Sequence, residues 1–238
     1  MSKAGIVSLL SSPHIWRVGD LPLGERTGIP TGSETLDAEL PDGGWPKQGM
    51  TELLCDQMGG GELSLLIPAL KASIQDSRSI AWINPPCLPY APALANAGIS
   101  LSQLMIVRTA SPAETLWAAE QALRSGALGT VLLWLRHHVD YASLRRLHLA
   151  AEAGNCAAFV YRSTGFAEHP SPAPLRLRVD MEGNSPALTL IKRRGMMTSR
   201  RLRLNTSPAE RRLPAIPRHA SASGIPTASR PALSLVAH

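Results

Sequence analysis

The sequence predicts an α/β fold in which a mostly parallel sheet is flanked by helices. Three observations predict it. Apolar strand segments alternate with helical segments between residues 50 and 161, the strand at 130–135 is apolar in the manner of strands buried on both faces, and a glycine-rich loop joins the first strand to its helix. Since alternating strands and helices form parallel crossover units, helices should cover the sheet.

Length and composition divide the chain into three parts. The 238 residues suit one large domain with a tail or two small domains, and 44% are apolar, which is ordinary for a globular core. We expect a lead segment at 1–28, a main domain at 29–205 and a disordered tail at 206–238, because the tail is rich in Pro, Ala, Ser and Arg. A net charge of +6 favours acidic partners such as nucleic acid or an acidic protein surface.

The three cysteines and the apolar runs indicate the compartment. Cys55, Cys87 and Cys156 are far apart and lack the spacing of a zinc site or a disulfide framework, so a reducing compartment fits best. We read no signal peptide and no run of 18 apolar residues that would span a membrane. The sequence therefore predicts a cytoplasmic protein without membrane contact.

The elements follow in order along the main domain. Ser33 is the predicted N-cap of a short helix that Pro41 ends. A helix should open at Glu62, and the helix at 113–125 should bury Leu116, Trp117, Ala119 and Leu123. Another amphipathic helix is expected at 140–153. The predicted strands lie at 51–55, 79–84, 104–108, 130–135 and 157–161.

From Leu175 the pattern changes to strict alternation, which predicts antiparallel strands at a sheet edge with Gly183-Asn184 as a hairpin turn. Such strands are either a solvated edge protected by charge or a surface that contacts phosphate or an acidic protein. The density of arginines favours contact, and the lack of interleaved aromatic residues argues against base stacking. The candidate contact residues are Arg176, Arg178, Lys192, Arg193, Arg194, Arg200, Arg201 and Arg203.

The glycine-rich loop has the shape of a phosphate-binding loop without its chemistry. In the signature G-x-x-x-x-G-K-[ST], Gly60 takes the second glycine, which puts Cys55 at the first glycine and Gly61 at the lysine. Glu62 then stands at the hydroxyl position, where its carboxylate would repel phosphate. We interpret Gly59, Gly60 and Gly61 as a tight structural turn.

The other positions needed for phosphoryl transfer are also substituted. Asn84, Pro85 and Pro86 follow the strand after which a water-activating carboxylate would stand, and Trp134 and Leu135 end the strand that should carry the magnesium ligand. Tyr161 and Arg162 occupy the place of a sensor glutamine. The joint loss predicts a pseudo-ATPase with no catalytic residue, no cofactor and no metal site. We interpret His137, His138 and Asp140 as a solvated loop.

Residues 29–66 resemble the start of the RecA ATPase core, through Ile-Pro-Thr-Gly-Ser-x-x-Leu-Asp, a Gly-Gly-x-Pro-x-x-Gly turn and the glycine-rich loop. The resemblance implies a RecA-like core. Within that class, residues 27–205 resemble the ImuA family, which is related to SulA. The residues that carry this second resemblance are the loop Asp56, Gly59, Gly61, Glu62 and Leu63 with Pro68, the segments 81–86 and 133–135, and the closing segment 190–195.

The ImuA resemblance implies an accessory role in bacterial translesion DNA synthesis during the SOS response. The implied partners are an ImuB-type protein, RecA and, indirectly, the α subunit of an error-prone polymerase, with DNA backbone contact as a further option. Two alternatives stay open: a SulA-type division inhibitor that binds FtsZ, and an atypical nucleotide-binding protein.

Overall fold

The computed structural model describes residues 27–56, 62–182, 185–193 and 196–203. Its centre is an eight-stranded sheet in the order β3-β2-β4-β5-β1-β6-β7-β8. The first six strands in this order run parallel to one another, whereas β7 is antiparallel to β6 and to β8. The strands are β1 (Gly49–Leu54), β2 (Ser79–Ile83), β3 (Leu104–Val107), β4 (Leu128–Trp134), β5 (Ala157–Arg162), β6 (Leu175–Glu182), β7 (Ser185–Arg193) and β8 (Met196–Arg203).

Five α-helices and three 3₁₀-helices connect the strands in the described residues. The α-helices are α1 (Glu34–Asp37), α2 (Ile67–Gln75), α3 (Ala91–Asn96), α4 (Pro112–Arg124) and α5 (Tyr141–Ala153). The 3₁₀-helices are Glu62–Leu66, Leu101–Gln103 and Thr164–Phe166. The mixed α/β class, the mostly parallel sheet and the antiparallel strands near the C-terminus are confirmed.

The helices cover the two faces of the sheet in separate sets. Residues of α1, α2 and α3 pack with Trp82, Trp134 and Phe159 on one face. Residues of α4 and α5 pack with Val131 and Val160 on the other. Crossovers that run from β1 towards β3 use the first face, and those that run from β3 towards β5 use the second. Because the crossovers on the two faces run in opposite directions along the sheet, all of them have the same handedness, which is the rule for parallel sheets.

Local sequence signals explain most helix boundaries. The Ser33 hydroxyl accepts a hydrogen bond from the Leu36 N–H, so the predicted N-cap of α1 is confirmed. Ser111 and Asp140 cap α4 and α5 in the same way. One burial prediction is wrong: Trp117 is 67% exposed, because α4 turns Thr115, Ala119 and Leu123 towards the sheet. Residues 1–26 of the predicted lead segment, the predicted tail and the turn at 183–184 lie outside the described residues.

A close approach between the two outer helices constrains their ends. Gly154 ends α5, and a Cβ atom placed there would lie 1.9 Å from the Leu123 carbonyl oxygen of α4. Glycine is therefore the residue that allows α5 to end against the backbone of α4.

His148 lies on α5 and contacts the amino end of β1. The His148 Nδ1 atom accepts a hydrogen bond from the Met50 N–H at 3.1 Å, and its Nε2 atom lies 3.4 Å from a Glu152 carboxylate oxygen. Burial lowers the pKa of His148, with further lowering from Arg145 and Lys192 and an opposing effect from Glu152. The neutral ring is thus the form that the fold selects.

We expect His148 to make stability depend on pH. Because its pKa is lower in the folded than in the unfolded chain, the unfolded chain binds more protons between the two pKa values. The stabilisation is therefore complete above about pH 6.5 and is lost as the pH falls from there through the folded pKa. Urea unfolding of the protein and of His148→Gln between pH 8 and 5 measures this, and equal pH profiles would contradict it.

Candidate functional site

The carboxyl edge of β1 is tied to the segment after β5 through Asp56. Its carboxylate accepts hydrogen bonds from the Ser163 hydroxyl at 2.7 Å, from the Thr164 N–H at 2.9 Å and from the Thr164 hydroxyl. These bonds hold the pKa of Asp56 below its usual value. Asp56 thus fixes the start of the glycine-rich loop, while Gly59, Gly60 and Gly61 lie outside the described residues.

An aromatic layer fills the face of the sheet next to α2. The Trp134 and Tyr161 rings stack with centroids 5.0 Å apart and planes inclined by 8°, and Trp82 meets Trp134 at 5.8 Å. The three rings are buried and come from the adjacent strands β2, β4 and β5. They place large apolar surfaces at strand ends where a nucleotide site needs charged and polar groups.

Glu62, at the hydroxyl position of the signature, is buried beside this layer. Burial and the negative charge of Glu62 raise the pKa of Tyr161 well above its usual value. Burial, Glu62 and Asp56 raise the pKa of the Cys55 thiol to about 12. Cys55 is therefore a thiol rather than a reactive thiolate at neutral pH. The described ends of the loop present neutral groups and carboxylates, not a cation.

A buried ionic cluster lies on the opposite face of the sheet, where the middle of β1, the carboxyl end of β5 and the start of β6 are adjacent. Glu52 is 0% exposed, and its two carboxylate oxygens accept hydrogen bonds from Arg162 at 2.6 Å and from Arg176 at 2.5 Å. Arg176 also donates to the carbonyls of Phe166 and Ala167, and the Phe166 ring lies 4.2 Å from the Arg162 guanidinium carbon. The cluster joins three strands to the segment that follows β5.

This cluster changes the interpretation of Arg176. The sequence placed it among the candidate contact residues, but its side chain is 3% exposed and is held by Glu52. It is therefore unavailable to a partner. From the sequence, Glu52 was interpreted as a strand residue with a partner role at the edge of the core, and it was not paired with Arg176. The signal that could have found the cluster is a carboxylate inside an apolar strand, since a buried charge requires a partner of opposite sign.

The other candidate contact residues are mostly engaged within the chain. Arg178 pairs with Asp180 at 3.0 Å, and the Lys192 ammonium donates to the Ser171 carbonyl at 2.8 Å. Arg200 pairs with Glu39 at 2.9 Å, and Arg193 donates to the Glu39 carbonyl. Arg201 is exposed in β8. The backbone of Arg203 belongs to β8, and Arg194 lies outside the described residues. Much of the basic edge therefore stabilises the chain itself.

A cavity of about 280 Å³ opens at the carboxyl ends of β2 and β4. The chain leaves β2 towards β3 and leaves β4 towards β5, so neighbouring strands send their connections in opposite directions. Crevices of this kind, outside the carboxyl ends of parallel strands, are where open α/β sheets bind ligands. Its lining includes Asn84, Arg108, Thr109, Arg136 and His137.

The residues predicted to form a solvated loop after β4, which are His137, His138 and Asp140, have different surroundings. His137 lines the cavity, whereas the exposed His138 ring lies 6.1 Å from the Phe166 ring and 6.2 Å from the His169 ring. Asp140 accepts a hydrogen bond from the Ser143 N–H and so caps α5. The described residues contain no group of three or more His, Cys, Asp or Glu side chains that could hold a metal ion.

The fold and the carboxyl ends of its strands define an α/β domain whose central sheet carries a buried aromatic layer near Glu62. Residues 51–158 match a family model described as "Cell division inhibitor SulA". A SulA from Pectobacterium carotovorum is 34% identical over 103 residues, which is 42% of this chain and 61% of the relative. A SulA from Edwardsiella piscicida is 36% identical over 114 residues, which is 48% of this chain and 63% of the relative.

A solved structure is also similar. The crystal structure of SulA from Pseudomonas aeruginosa shares 28% identity, covers 48% of this chain and 97% of that chain, and superposes with a TM-score of 0.41. The chain spans about six tenths of the length of the curated relatives that it matches. Residues 51–158, which are less than half of the chain, are thus similar to SulA proteins.

This result corrects the main function inferred from the sequence. The ImuA resemblance implied an accessory role in translesion synthesis, but the family match and the curated relatives are SulA proteins, described as inhibitors of cell division. The division-inhibitor alternative agrees with them better. The error arose because the segment from Asp56 to Pro68 was used to choose ImuA over SulA, although these two families are related.

Proposed function

We propose that the protein is a SulA-type inhibitor of cell division that acts by binding the tubulin-like protein FtsZ during the SOS response. The observation that carries the proposal is the SulA family match over residues 51–158, which runs from β1 into β5 and so includes most of the parallel sheet. Inhibition by binding needs a surface, not a catalytic group.

The exposed apolar side chains support a binding role. Five of the eight large apolar residues that are exposed in the described chain fall between residues 88 and 106: Leu88, Tyr90, Leu101, Met105 and Ile106. This segment covers the connection from β2 and the edge strand β3. Clustered exposed apolar side chains, and edge strands with unpaired backbone groups, are features of protein interaction sites.

We further propose that the sheet is a RecA-like core kept as a scaffold, and that the protein is a pseudo-ATPase. The parallel strands with a glycine-rich loop after β1 support the first statement. The rings of Trp134 and Tyr161 and the carboxylate of Glu62 support the second, because they occupy positions where hydrolysis needs a magnesium ligand, a sensor and a hydroxyl.

Overexpression in a bacterial host and binding to purified FtsZ test the division-inhibitor proposal. We expect filamentous cells, and a complex whose affinity Met105→Lys lowers by at least roughly tenfold, because a buried charge at an apolar contact is costly. Leu149→Lys is the matched control, since Leu149 is 47% exposed on α5 and Met105 is 49% exposed on β3. Normal division at full expression, together with no FtsZ complex, would contradict the proposal.

Contacts with an ImuB-type protein, RecA or the DNA backbone stay predictions. The same binding assay includes them, with single-stranded DNA titrated at several salt concentrations, because phosphate contacts weaken as salt rises. The nucleotide-binding alternative predicts tight Mg²⁺-dependent ATP binding that a substitution at Gly60 abolishes.

A further inference from the structure

The cavity between the ends of β2 and β4 has a lining that is cationic and polar. Arg108, Arg136 and His137 line it together with the hydroxyl residues Thr109 and Ser111, and no Asp or Glu is among the lining residues. Within the described part of the chain, neither arginine forms a hydrogen bond or an ion pair through its side chain. This differs from the basic edge, where Arg178, Arg193 and Arg200 are engaged.

The floor of the cavity is built from a fixed polar network. Asn84 has a left-handed backbone with φ of 53°, and its side-chain amide donates to the hydroxyls of Thr109 at 2.7 Å and Thr115 at 2.8 Å. Its side-chain oxygen accepts the Thr109 N–H at 2.9 Å. The network holds the end of β2 against the segment that carries Arg108, so the cavity is formed before any ligand binds.

Local hydrogen bonds occupy the N-cap of α4, and we do not place the site there. The Glu114 N–H donates to the Ser111 hydroxyl, and the Ala110 N–H donates to the Glu114 carboxylate at 2.9 Å. Recognition therefore depends on the two arginines, which reach the cavity from the ends of β3 and β4.

We propose that this cavity binds a small phosphomonoester, with Arg108 and Arg136 contacting the phosphate. The planar guanidinium fork matches phosphate oxygens in pairs, and the absence of a lining carboxylate removes the repulsion that Glu62 brings to the loop after β1. A volume of about 280 Å³ is near the lower end of ligand sites and so suits a phosphate on one compact group.

The site is separate from the glycine-rich loop and goes beyond the proposed function. In the sheet, β5 lies between β4, which is the nearer strand of the cavity, and β1, which leads into the loop. Phosphomonoester binding in the cavity can therefore be distinguished from nucleotide binding at the glycine-rich loop, because each would shift the NMR signals of different backbone amides.

The experiment is a titration of the full chain, followed by ¹H–¹⁵N NMR, with inorganic phosphate and the compact monophosphate ester phenyl phosphate as the two probes. We expect shifts at residues 108–111 and 136–137, larger affinity for the monophosphate than for free phosphate, and weaker binding at higher salt. Arg108→Ala and Arg136→Ala should each weaken binding roughly tenfold, and the double variant should lose it. Arg124→Ala is the control, because Arg124 pairs with Glu120 on α4 away from the cavity.

Three outcomes would overturn the proposal: no shift with either probe at millimolar concentration, shifts confined to residues 62–66, or affinity unchanged in the double variant. Binding of free phosphate as tight as that of the monophosphate would also overturn the assignment to an ester, since the organic group would then contribute nothing. Far-ultraviolet circular dichroism of each variant confirms that it is folded. Division inhibition is scored separately and does not enter these outcomes.

Discussion

Replacing Glu52 by alanine should lower the free energy of unfolding by about 3–5 kcal/mol, since breaking a buried ion pair leaves its partner charges uncompensated. Glu52 neutralises two guanidinium groups, those of Arg162 and Arg176, and both are almost completely buried. Without the carboxylate, two cations remain in the interior beside Lys192, whose pKa is already lowered by burial and by Arg176. Urea unfolding monitored by circular dichroism measures the loss.

An exposed ion pair gives the matched control for Glu52. Asp180 pairs with Arg178 on the same strand, β6, and both side chains are partly exposed. Asp180→Ala should therefore change the free energy of unfolding by about 0–1 kcal/mol. A Glu52→Ala variant as stable as Asp180→Ala would show that the cluster does not hold β1, β5 and β6 together.

Gly154→Ala is the second substitution with a large expected effect. The new methyl group would be placed 1.9 Å from the Leu123 carbonyl oxygen, so α4 and α5 would have to move apart. Backbone on both sides leaves no flexible side chain to give way, and we expect a loss of about 3 kcal/mol, at the upper end for overpacking. The midpoint of thermal unfolding and the urea profile measure this loss.

Gly126 separates steric overlap from backbone strain. It has a φ of 72°, but a Cβ atom there would meet nothing within 4 Å. Gly126→Ala should therefore lose about 1 kcal/mol, which is the strain of a left-handed alanine alone. If the two variants were equally stable, the contact between the end of α5 and α4 would not be the reason for glycine at position 154.

Much of the fold could be predicted because it depends on local patterns. The apolar strand segments and the cap Ser33 are signals within a few residues, and the structure confirms them. Trp117 was misplaced because helical spacing alone does not say which of two apolar stripes faces the sheet. Its bulk suggested burial, yet the smaller Thr115 and Ala119 take the inner side of α4.

The site was harder to predict, because its contacts join distant parts of the chain. Glu52 and Arg176 are 124 residues apart, and no spacing rule links them. The cavity is likewise formed by three strand ends that sequence order does not bring together. Asn84 and Trp134 were noticed as replacements for residues of an ATPase and as parts of a family resemblance, although Asn84 organises the network beneath the cavity.

The position of β1 inside the sheet has a consequence for synthesis of the protein. Among the described strands, the first to leave the ribosome is β1, which pairs with β5 and β6, so it lacks both of these neighbours until more than a hundred further residues are made. At about 5–20 residues per second, the 124 residues between Glu52 and Arg176 take about 6–25 s to be translated. During that interval the apolar strand Gly49–Leu54 is exposed. The nascent chain is therefore most in need of a chaperone before its last parallel strand emerges.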